Sequence, residues 1–358
     1  MNEASSPSFS KDYAAVREGG AGLIDLSSRG RIAVAGVEAA KFLNGLVTND
    51  VKALAPHFWI PAIFPNVQGR VLASVRIMNL GDQFLIDTEM ATYEIVLNLL
   101  SRFTLAGDFR VTDQTEEIAA LSVQGKRAAE IIRAIFGEAA APVQLLPWEP
   151  ANISVVDWEH GQVTIICDTH TGEMGYDVFI EAAQVTDLRQ ALIDEGAVSV
   201  TDDTVEILRV EAGIPLYGVD IDSNTVVNES SLDYAVSYTK GCYIGQEIVV
   251  RIKHRGHVAK KLTSIIFPNE PFEIEDTKVY SEDGQDAGRV TSWLISPHLG
   301  YTVALAYIKF DYLKMLTPIQ MEAGGRTVKG IVGNEANIVR GSWYELIDST
   351  PFPISSGK

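Results

Sequence analysis

The sequence is poor in cysteine and in cationic residues, and it contains no long apolar run. Its 358 residues include only two cysteines, Cys167 and Cys242, which excludes a disulfide-built scaffold and a CxxC metal site. No apolar stretch reaches the ~18 residues of a membrane-spanning helix. Residues 1–10 lack the basic start and the apolar segment of a signal peptide. We therefore expect a reduced, cytoplasmic protein that does not associate with a membrane.

Acidic residues outnumber basic ones by a wide margin. Lysine and arginine total 29 and aspartate and glutamate total 47, which gives a formal net charge of −18. Such a surface repels polyanions, so direct nucleic-acid binding is disfavoured. Hydrophobic residues make up 46% of the chain, which excludes an intrinsically disordered protein and supplies a sizeable core. The length predicts roughly two to three domains.

Two kinds of pattern divide the chain. Up to about residue 255, helical and strand patterns alternate, as in the helical run 126–136 that Gly137 ends. From Val258 onward, short β-rich runs alternate with glycine, proline and aspartate turns, which is typical of a small antiparallel barrel. The predicted fold class is α+β with a C-terminal antiparallel β-barrel. The predicted boundaries are a disordered or loosely held N-terminus at 1–17, an α+β region at 18–255, the barrel at 256–345 and a tail at 346–358.

Residues 240–247, KGCYIGQE, form the most specific segment. Gly241 and Gly245 bracket Cys242, and glycines permit tight backbone turns and close approach of a ligand. The neighbouring Lys240 can stabilise a thiolate. The pattern indicates a reactive or ligand-facing thiol on a loop, and a buried cysteine that only packs is the alternative. A zinc site built from Cys242 with nearby histidines has weak spacing, so no metal site is predicted.

A basic run follows the cysteine segment directly. Arg251, Lys253 and Arg255 alternate with less polar residues, and this period of two predicts that they share one face of a strand. With Lys260 and Lys261, five cations fall within 11 residues. One interpretation is a site for an anion such as a phosphate, a polycarboxylate tail or RNA, and the other is a solvated strand face.

Two further motifs carry polar groups that suit a pterin ring. Asp177 ends the run TGEMGYD, and a carboxylate can accept two hydrogen bonds from a 2-amino-4-oxo pterin. Arg209 begins RVEAGIPLYG, and an arginine can hold a carboxylate or orient that aspartate. A β-turn and a helical Arg–Glu ion pair are the structural alternatives.

In combination, these segments resemble the YgfZ family, which comprises folate-binding relatives of the glycine-cleavage T-protein and includes a mitochondrial iron–sulfur assembly factor. The matching segments are KGCYIGQE at 240–247, RVEAGIPLYGVD at 209–220, TGEMGYD at 171–177, GLIDLS at 22–27, FLNGLVTND at 42–50 and GRVTS at 288–292. The resemblance implies a folate-binding unit of two intertwined α+β subdomains, followed by the barrel. It also implies tetrahydrofolate or another folate as the cofactor.

The resemblance assigns roles to individual residues. It implies that Asp177 and Arg209 bind the pterin, next to His170, where T-proteins often carry tyrosine. It implies that Cys242 is the functional thiol. The residues implied to support that thiol are Lys240, Gly241, Gly245, Gln246 and Glu247. The residues implied to attract the glutamate tail or a partner are Arg251, Lys253 and Arg255.

One departure separates the sequence from T-proteins. They carry a GGxxDD motif in which an aspartate supports aminomethyl transfer, whereas the matching stretch here ends in Ala73 and Ser74. Neither side chain can replace a carboxylate in proton transfer or in stabilising a cation. We therefore predict a folate-binding accessory protein that supports iron–sulfur cluster assembly or repair and, through it, tRNA modification. Its expected partners are iron–sulfur client or assembly proteins, and tetrahydrofolate-dependent aminomethyl or other one-carbon transfer is the alternative.

Overall fold

A mixed helix-and-sheet region precedes a closed barrel along the chain. The computed structural model describes residues 10–102, 107–141, 149–159, 161–268 and 271–333. Within these ranges, the strands form one eleven-stranded sheet and one closed six-stranded barrel. This confirms the predicted α+β class with a C-terminal antiparallel barrel. None of the helices in the described ranges is long and apolar enough to cross a membrane.

The sheet consists of two halves that meet at a short join. Its strands are β1 (Gly22–Asp25), β2 (Gly30–Ala35), β3 (Phe58–Pro65), β4 (Val71–Asn79), β5 (Gln83–Thr88), β6 (Arg110–Asp113), β7 (Ile118–Gln124), β8 (Ala151–Trp158), β9 (Gly161–Cys167), β10 (Gly175–Glu181) and β11 (Val198–Ser199). Their spatial order is β11-β1-β7-β10-β9-β8-β3-β4-β5-β2-β6. Strands β3 and β8 pair only through Phe58 with Asn152 and Trp59 with Ala151.

Seven α-helices accompany the sheet in the described ranges. They are α1 (Lys11–Arg17), α2 (Ala39–Leu46), α3 (Met90–Ser101), α4 (Ala128–Phe136), α5 (Val185–Asp194), α6 (Asp202–Glu211) and α7 (Gln246–Arg255). Helix α4 illustrates how the sequence pattern predicts a helix. Ile131 and Ile132, which have helical spacing with the other apolar residues, are buried, and Gly137 ends the helix with a φ of 92°.

Two local expectations were wrong. Residues 11–17 are not loosely held, because Tyr13 and Val16 of α1 are buried against Leu208; residues 1–9 lie outside the described ranges. The basic run is not a strand, because Arg251 and Lys253 lie in α7. An alternation over six residues is too short to exclude a helix, and Val249 and Ile252 already have helical spacing.

The two halves of the sheet pack against each other through one face of each. On β4, Ala73, Val75 and Ile77 enter an apolar core that α2 and α3 cover. The opposite face, with Met78, meets Phe179 of β10 in a second apolar cluster. Because side chains alternate along a strand, Arg76 points the same way as Met78, toward the other half of the sheet.

The barrel region contacts the sheet region through α6. Its strands, in chain order, are β12 (Lys260–Phe267), β13 (Lys278–Ser281), β14 (Asp286–Ile295), β15 (Thr302–Lys309), β16 (Pro318–Ala323) and β17 (Arg326–Val332). The Ser296 hydroxyl donates a hydrogen bond to the Glu211 carboxylate of α6 at 2.6 Å. The predicted tail at 346–358 lies outside the described ranges.

Candidate functional site

Asp177 lies at the centre of a buried group of charges between the two sheet halves. We call Arg76, Asp87, Asp168, His170 and Asp177 the central polar cluster. The Asp177 side chain is fully buried, accepts a hydrogen bond from Arg76 Nη1, and lies 2.9 Å from His170 Nε2. Burial alone would raise the pKa of Asp177, but His170 and Arg76 hold it well below its ordinary range. The structure therefore brings together the predicted site residues Asp177 and His170.

Arg76 bridges three carboxylates. Its Nη1 also contacts Asp168 at 2.9 Å, and its Nη2 contacts Asp87 at 2.7 Å. Arg76 and Asp87 are paired residues of the β4–β5 ladder, so the register itself places them side by side. Because the ionised form gains from these three acids, the pKa of Arg76 is raised even though burial opposes that shift.

Two more arginines, Arg29 and Arg31, lie close to the negative charge of Asp87. Arg29 contacts the Asp87 carboxylate at 2.7 Å, and Arg31 Nε lies 3.7 Å from it. Burial alone would raise the pKa of Asp87, but Arg29, Arg76 and Arg31 hold it at about 2. Charges buried in this way are tolerated only when they are paired, and here three guanidinium groups meet three carboxylates.

Gln124 shapes the loop that carries Asp168 and His170. Its Nε2 donates to the Asp168 carbonyl at 3.1 Å, and its Oε1 accepts from the His170 amide at 3.1 Å. A Cβ on Gly175 would lie 1.9 Å from Gln124 Nε2, so the second glycine of the TGEMGYD run is needed for this packing. The motif therefore positions both polar side chains of the loop.

The ligand atoms of Asp168, His170 and Asp177 lie within 4.8 Å of one another, which is close enough to hold a metal ion. However, Arg76 Nη1 contacts both Asp168 and Asp177. Its positive charge lies where a cation would bind, so this geometry favours an ion-pair network over a metal centre.

Partly exposed side chains border the central polar cluster. Glu89 follows β5 directly, and its Oε2 accepts a hydrogen bond from the Tyr217 amide at 3.3 Å. Burial raises the pKa of Glu89. Burial and the charges of Asp168 and Glu89 raise the pKa of Tyr234. These groups therefore share one electrostatic environment.

Cys242 lies in a different place, on an exposed loop. The neighbouring Lys240 is buried, and its Nζ donates to the carbonyls of Asn44, Val47 and Asn49 at 2.8, 2.8 and 2.6 Å. These carbonyls lie at and just beyond the C-terminal end of α2, where backbone acceptors lack helical partners. Burial lowers the pKa of Lys240 to about 8. Lys240 therefore anchors the loop to α2.

The rest of the KGCYIGQE segment closes this loop onto α7. Gly245 has a φ of 78°, and a Cβ there would lie 2.3 Å from the Asn66 carbonyl, so no other residue fits. Gln246 Nε2 lies 3.5 Å from the Lys240 carbonyl and 3.4 Å from that of Gly241. Gly241 and Glu247 are exposed, as Cys242 is. Gly245 and Gln246 thus shape the backbone around the thiol.

The basic residues after the loop lie on helix α7 and on β12. Arg251 and Lys253 are exposed, and Lys253 Nζ lies 5.0 Å from the centre of the Tyr238 ring. Arg255 ends α7, and its side chain lies outside the described part of the structure. Lys261 is paired with Asp233 at 3.0 Å. Anion binding by Arg251, Lys253 and Arg255 stays a prediction.

Arg209 lies apart from Asp177, at the junction with the barrel. Its guanidinium contacts Asp220 at 2.7 Å, donates to Ser292 Oγ at 3.0 Å, and is paired with Glu206 on α6. Among the described residues, these groups and the Ile214 carbonyl take all of its hydrogen bonds. A pterin contact by Arg209 stays a prediction.

Four residues of the site were not predicted from the sequence: Arg76, Asp87, Asp168 and Gln124. One signal was available for the first two, because each is a lone charge in an otherwise apolar strand. A buried charge of this kind needs a partner. Nothing in the sequence shows that the two strands are neighbours in the register that pairs them.

Two family models cover most of the chain. The model described as the GCVT N-terminal domain matches residues 2–240, and the model described as the glycine cleavage T-protein C-terminal barrel domain matches residues 260–336.

Curated relatives match over nearly their full length. The aminomethyltransferase of Nostoc sp. (strain PCC 7120) is 28% identical over 333 residues, which cover 90% of this chain and 86% of the relative. The aminomethyltransferase of Bacillus subtilis is 26% identical, with 94% and 91% covered. The crystal structure of glycine cleavage system aminomethyltransferase T from Bartonella henselae aligns with a TM-score of 0.79 at 21% identity, covering 92% of this chain and 89% of that one. At that identity, the structural likeness shows the fold alone.

Proposed function

Since the chain belongs to the glycine cleavage T-protein family, we propose that it binds a reduced folate, tetrahydrofolate or a close relative, at the central polar cluster. The observation that carries the proposal is the meeting of Asp177, His170 and Asp168 at the interface of the two sheet halves. Carboxylates and an imidazole match the N–H groups and the carbonyl oxygen of a pterin ring.

The three residues differ in how accessible their side chains are to a ligand. Asp177 is fully buried, whereas the side chains of Asp168 and His170 are 23% and 19% exposed. A pterin would therefore meet Asp168 and His170 first, and Asp177 would hold His170 and Arg76 in place behind them. The bound folate would supply the nitrogen atoms that carry a one-carbon unit.

Calorimetric titration with tetrahydrofolate tests this proposal. We expect saturable binding by the wild-type protein and at least tenfold weaker binding by the His170→Ala variant, because a ligand hydrogen bond in the cluster is lost (about 1.4 kcal/mol or more). Asp82→Asn alters an exposed carboxylate in the connection between β4 and β5 and serves as the control. Absence of wild-type binding at millimolar ligand would contradict the proposal.

Aminomethyl or another one-carbon transfer is the use of folate that the comparisons support better. Both curated relatives described above carry the name aminomethyltransferase and match over nearly their whole length. Against it, β4 presents Ala73 and Ser74 where the T-protein pattern has carboxylates. An assay of glycine cleavage with lipoylated H-protein separates the possibilities, since turnover would establish the transferase and its absence in a folate-binding preparation would exclude aminomethyl transfer.

A YgfZ-like accessory role in iron–sulfur cluster assembly or repair, and through it in tRNA modification, is the second candidate. It is supported by the exposed Cys242 on a loop that Lys240 fixes to α2. None of the relatives named above carries that role in its name. In a strain that lacks its own such protein, Cys242→Ala should abolish restoration of an iron–sulfur-dependent tRNA modification, and the exposed neighbour variant Thr239→Ala should not. Full restoration by Cys242→Ala would exclude the thiol role.

A further inference from the structure

The polar face of β4 continues past Arg76 to Ser74. Ala73 and Val75 are buried in the apolar core below the sheet, so Ser74 lies on the same side as Arg76. Ser74 is partly exposed, unlike Arg76. The face thus runs from the buried ion pairs to a more open position.

Glu89 directly follows the last residue pair of the β4–β5 ladder. The antiparallel register pairs Arg76 with Asp87 and ends with the pair of Val75 and Thr88, and Glu89 is the next residue along the chain. The backbone of Glu89 is extended, with φ −62° and ψ 146°, which continues the alternation of β5 by one residue. Glu89 therefore shares a face with Asp87 and extends the central polar cluster toward its open side.

The Glu89 carboxylate is only partly engaged by the protein. Its Oε2 accepts from the Tyr217 amide at 3.3 Å, and Oε1 has no hydrogen-bond partner among the described residues. The charges that act on it are Arg29, Arg209 and Asp87. Tyr234 and the Tyr217 phenol respond to its charge in turn. A carboxylate with one oxygen available beside a buried ion network is suited to accept a hydrogen bond from a ligand.

We propose that Glu89 is a ligand-contacting carboxylate of this site and accepts a hydrogen bond from an N–H group of the reduced folate. The inference rests on the proposed folate binding and adds a contact from the residue that follows β5.

Tetrahydrofolate titration of Glu89→Gln tests the inference. The amide keeps the shape and an acceptor for the Tyr217 amide but removes the negative charge, so we expect roughly tenfold weaker binding. Glu94→Gln changes an exposed glutamate on α3 and should bind like the wild type.

The pH profile separates ligand contact from a structural role. Because the ionised carboxylate is the better acceptor, wild-type affinity should rise as the pH passes upward through the raised pKa of Glu89. Arg29, Asp87, Arg209, Tyr217 and Tyr234 remain in Glu89→Gln, so only the inflection that belongs to Glu89 should disappear.

The outcomes distinguish this inference from the proposed function. Wild-type binding with unchanged affinity and an unchanged pH profile in Glu89→Gln would overturn the inference and leave folate binding intact. No wild-type binding would overturn both. If Glu89→Gln fails to fold, Glu89→Asp is the second variant. It keeps the negative charge but moves it back by one methylene group, and affinity equal to that of the wild type would overturn the inference.

Discussion

The central polar cluster and the Cys242 loop each contain a buried side-chain cation, Arg76 and Lys240, but the partners of these two cations differ. Arg76 is balanced by three carboxylates, whereas Lys240 is balanced by three backbone carbonyls. In the first region the acid of interest, Asp177, is fully buried and held on several sides. In the second, the anchored lysine leaves the adjacent thiol exposed. In one region a network of ion pairs holds buried side chains in place, and in the other an anchored lysine fixes the loop that carries an exposed thiol.

Replacing Arg76 should cause the largest loss of stability among the changes that test this comparison. In Arg76→Met, the carboxylates of Asp87, Asp168 and Asp177 lose their shared partner inside the protein. We expect the free energy of unfolding to fall by about 3–5 kcal/mol, as when one member of a buried ion pair is removed. Urea unfolding measures it, with Arg133→Met, an exposed arginine on α4, as the control. A loss below about 1 kcal/mol would show that the carboxylates become protonated or hydrated at little cost.

Acidification should cause the second-largest loss of stability, through protonation of the central polar cluster. The pKa of Asp87 is about 2 in the folded protein, against 3.8 for an ordinary aspartate. The unfolded chain therefore binds more protons between these values, so this stabilisation is complete above pH 4 and is lost as the pH falls toward 2. The difference corresponds to ~2 kcal/mol. Urea unfolding at several pH values checks it, and Asp87→Asn should lack this component of the slope.

Replacing the lysine should have a smaller effect on stability and none on folate binding. Lys240→Met keeps the length of the side chain but leaves the carbonyls of Asn44, Val47 and Asn49 without their donor, which costs about 1–3 kcal/mol. We also expect the rate of Cys242 alkylation to change, because the loop loses its anchor. Lys52→Met, an exposed neighbour of α2, is the control. Altered folate affinity in Lys240→Met would show that the two regions are coupled.

The sequence predicts the fold class well and the site only in part. The barrel follows from closely spaced turns after Val258, which are local features. Asp177 and His170 are close in sequence and share one turn, so their proximity was also predictable. Arg76 and Asp87 come together only through the β4–β5 register, which no local pattern reveals. Helix α7 was not predicted, because the cations in its sequence alternate with less polar residues, and this period of two is typical of a strand.

The contact between Lys240 and the end of α2 also sets an order of events during protein synthesis. Lys240 and Asn44 are 196 residues apart in the chain, so the cap can form only after about two thirds of the protein has been made. Domains generally fold as they emerge from the ribosome, and contacts over such separations form late. The anchored form of the thiol loop therefore requires that the end of α2 has already taken its folded shape. Incomplete chains that end before Lys240 cannot present Cys242 at all.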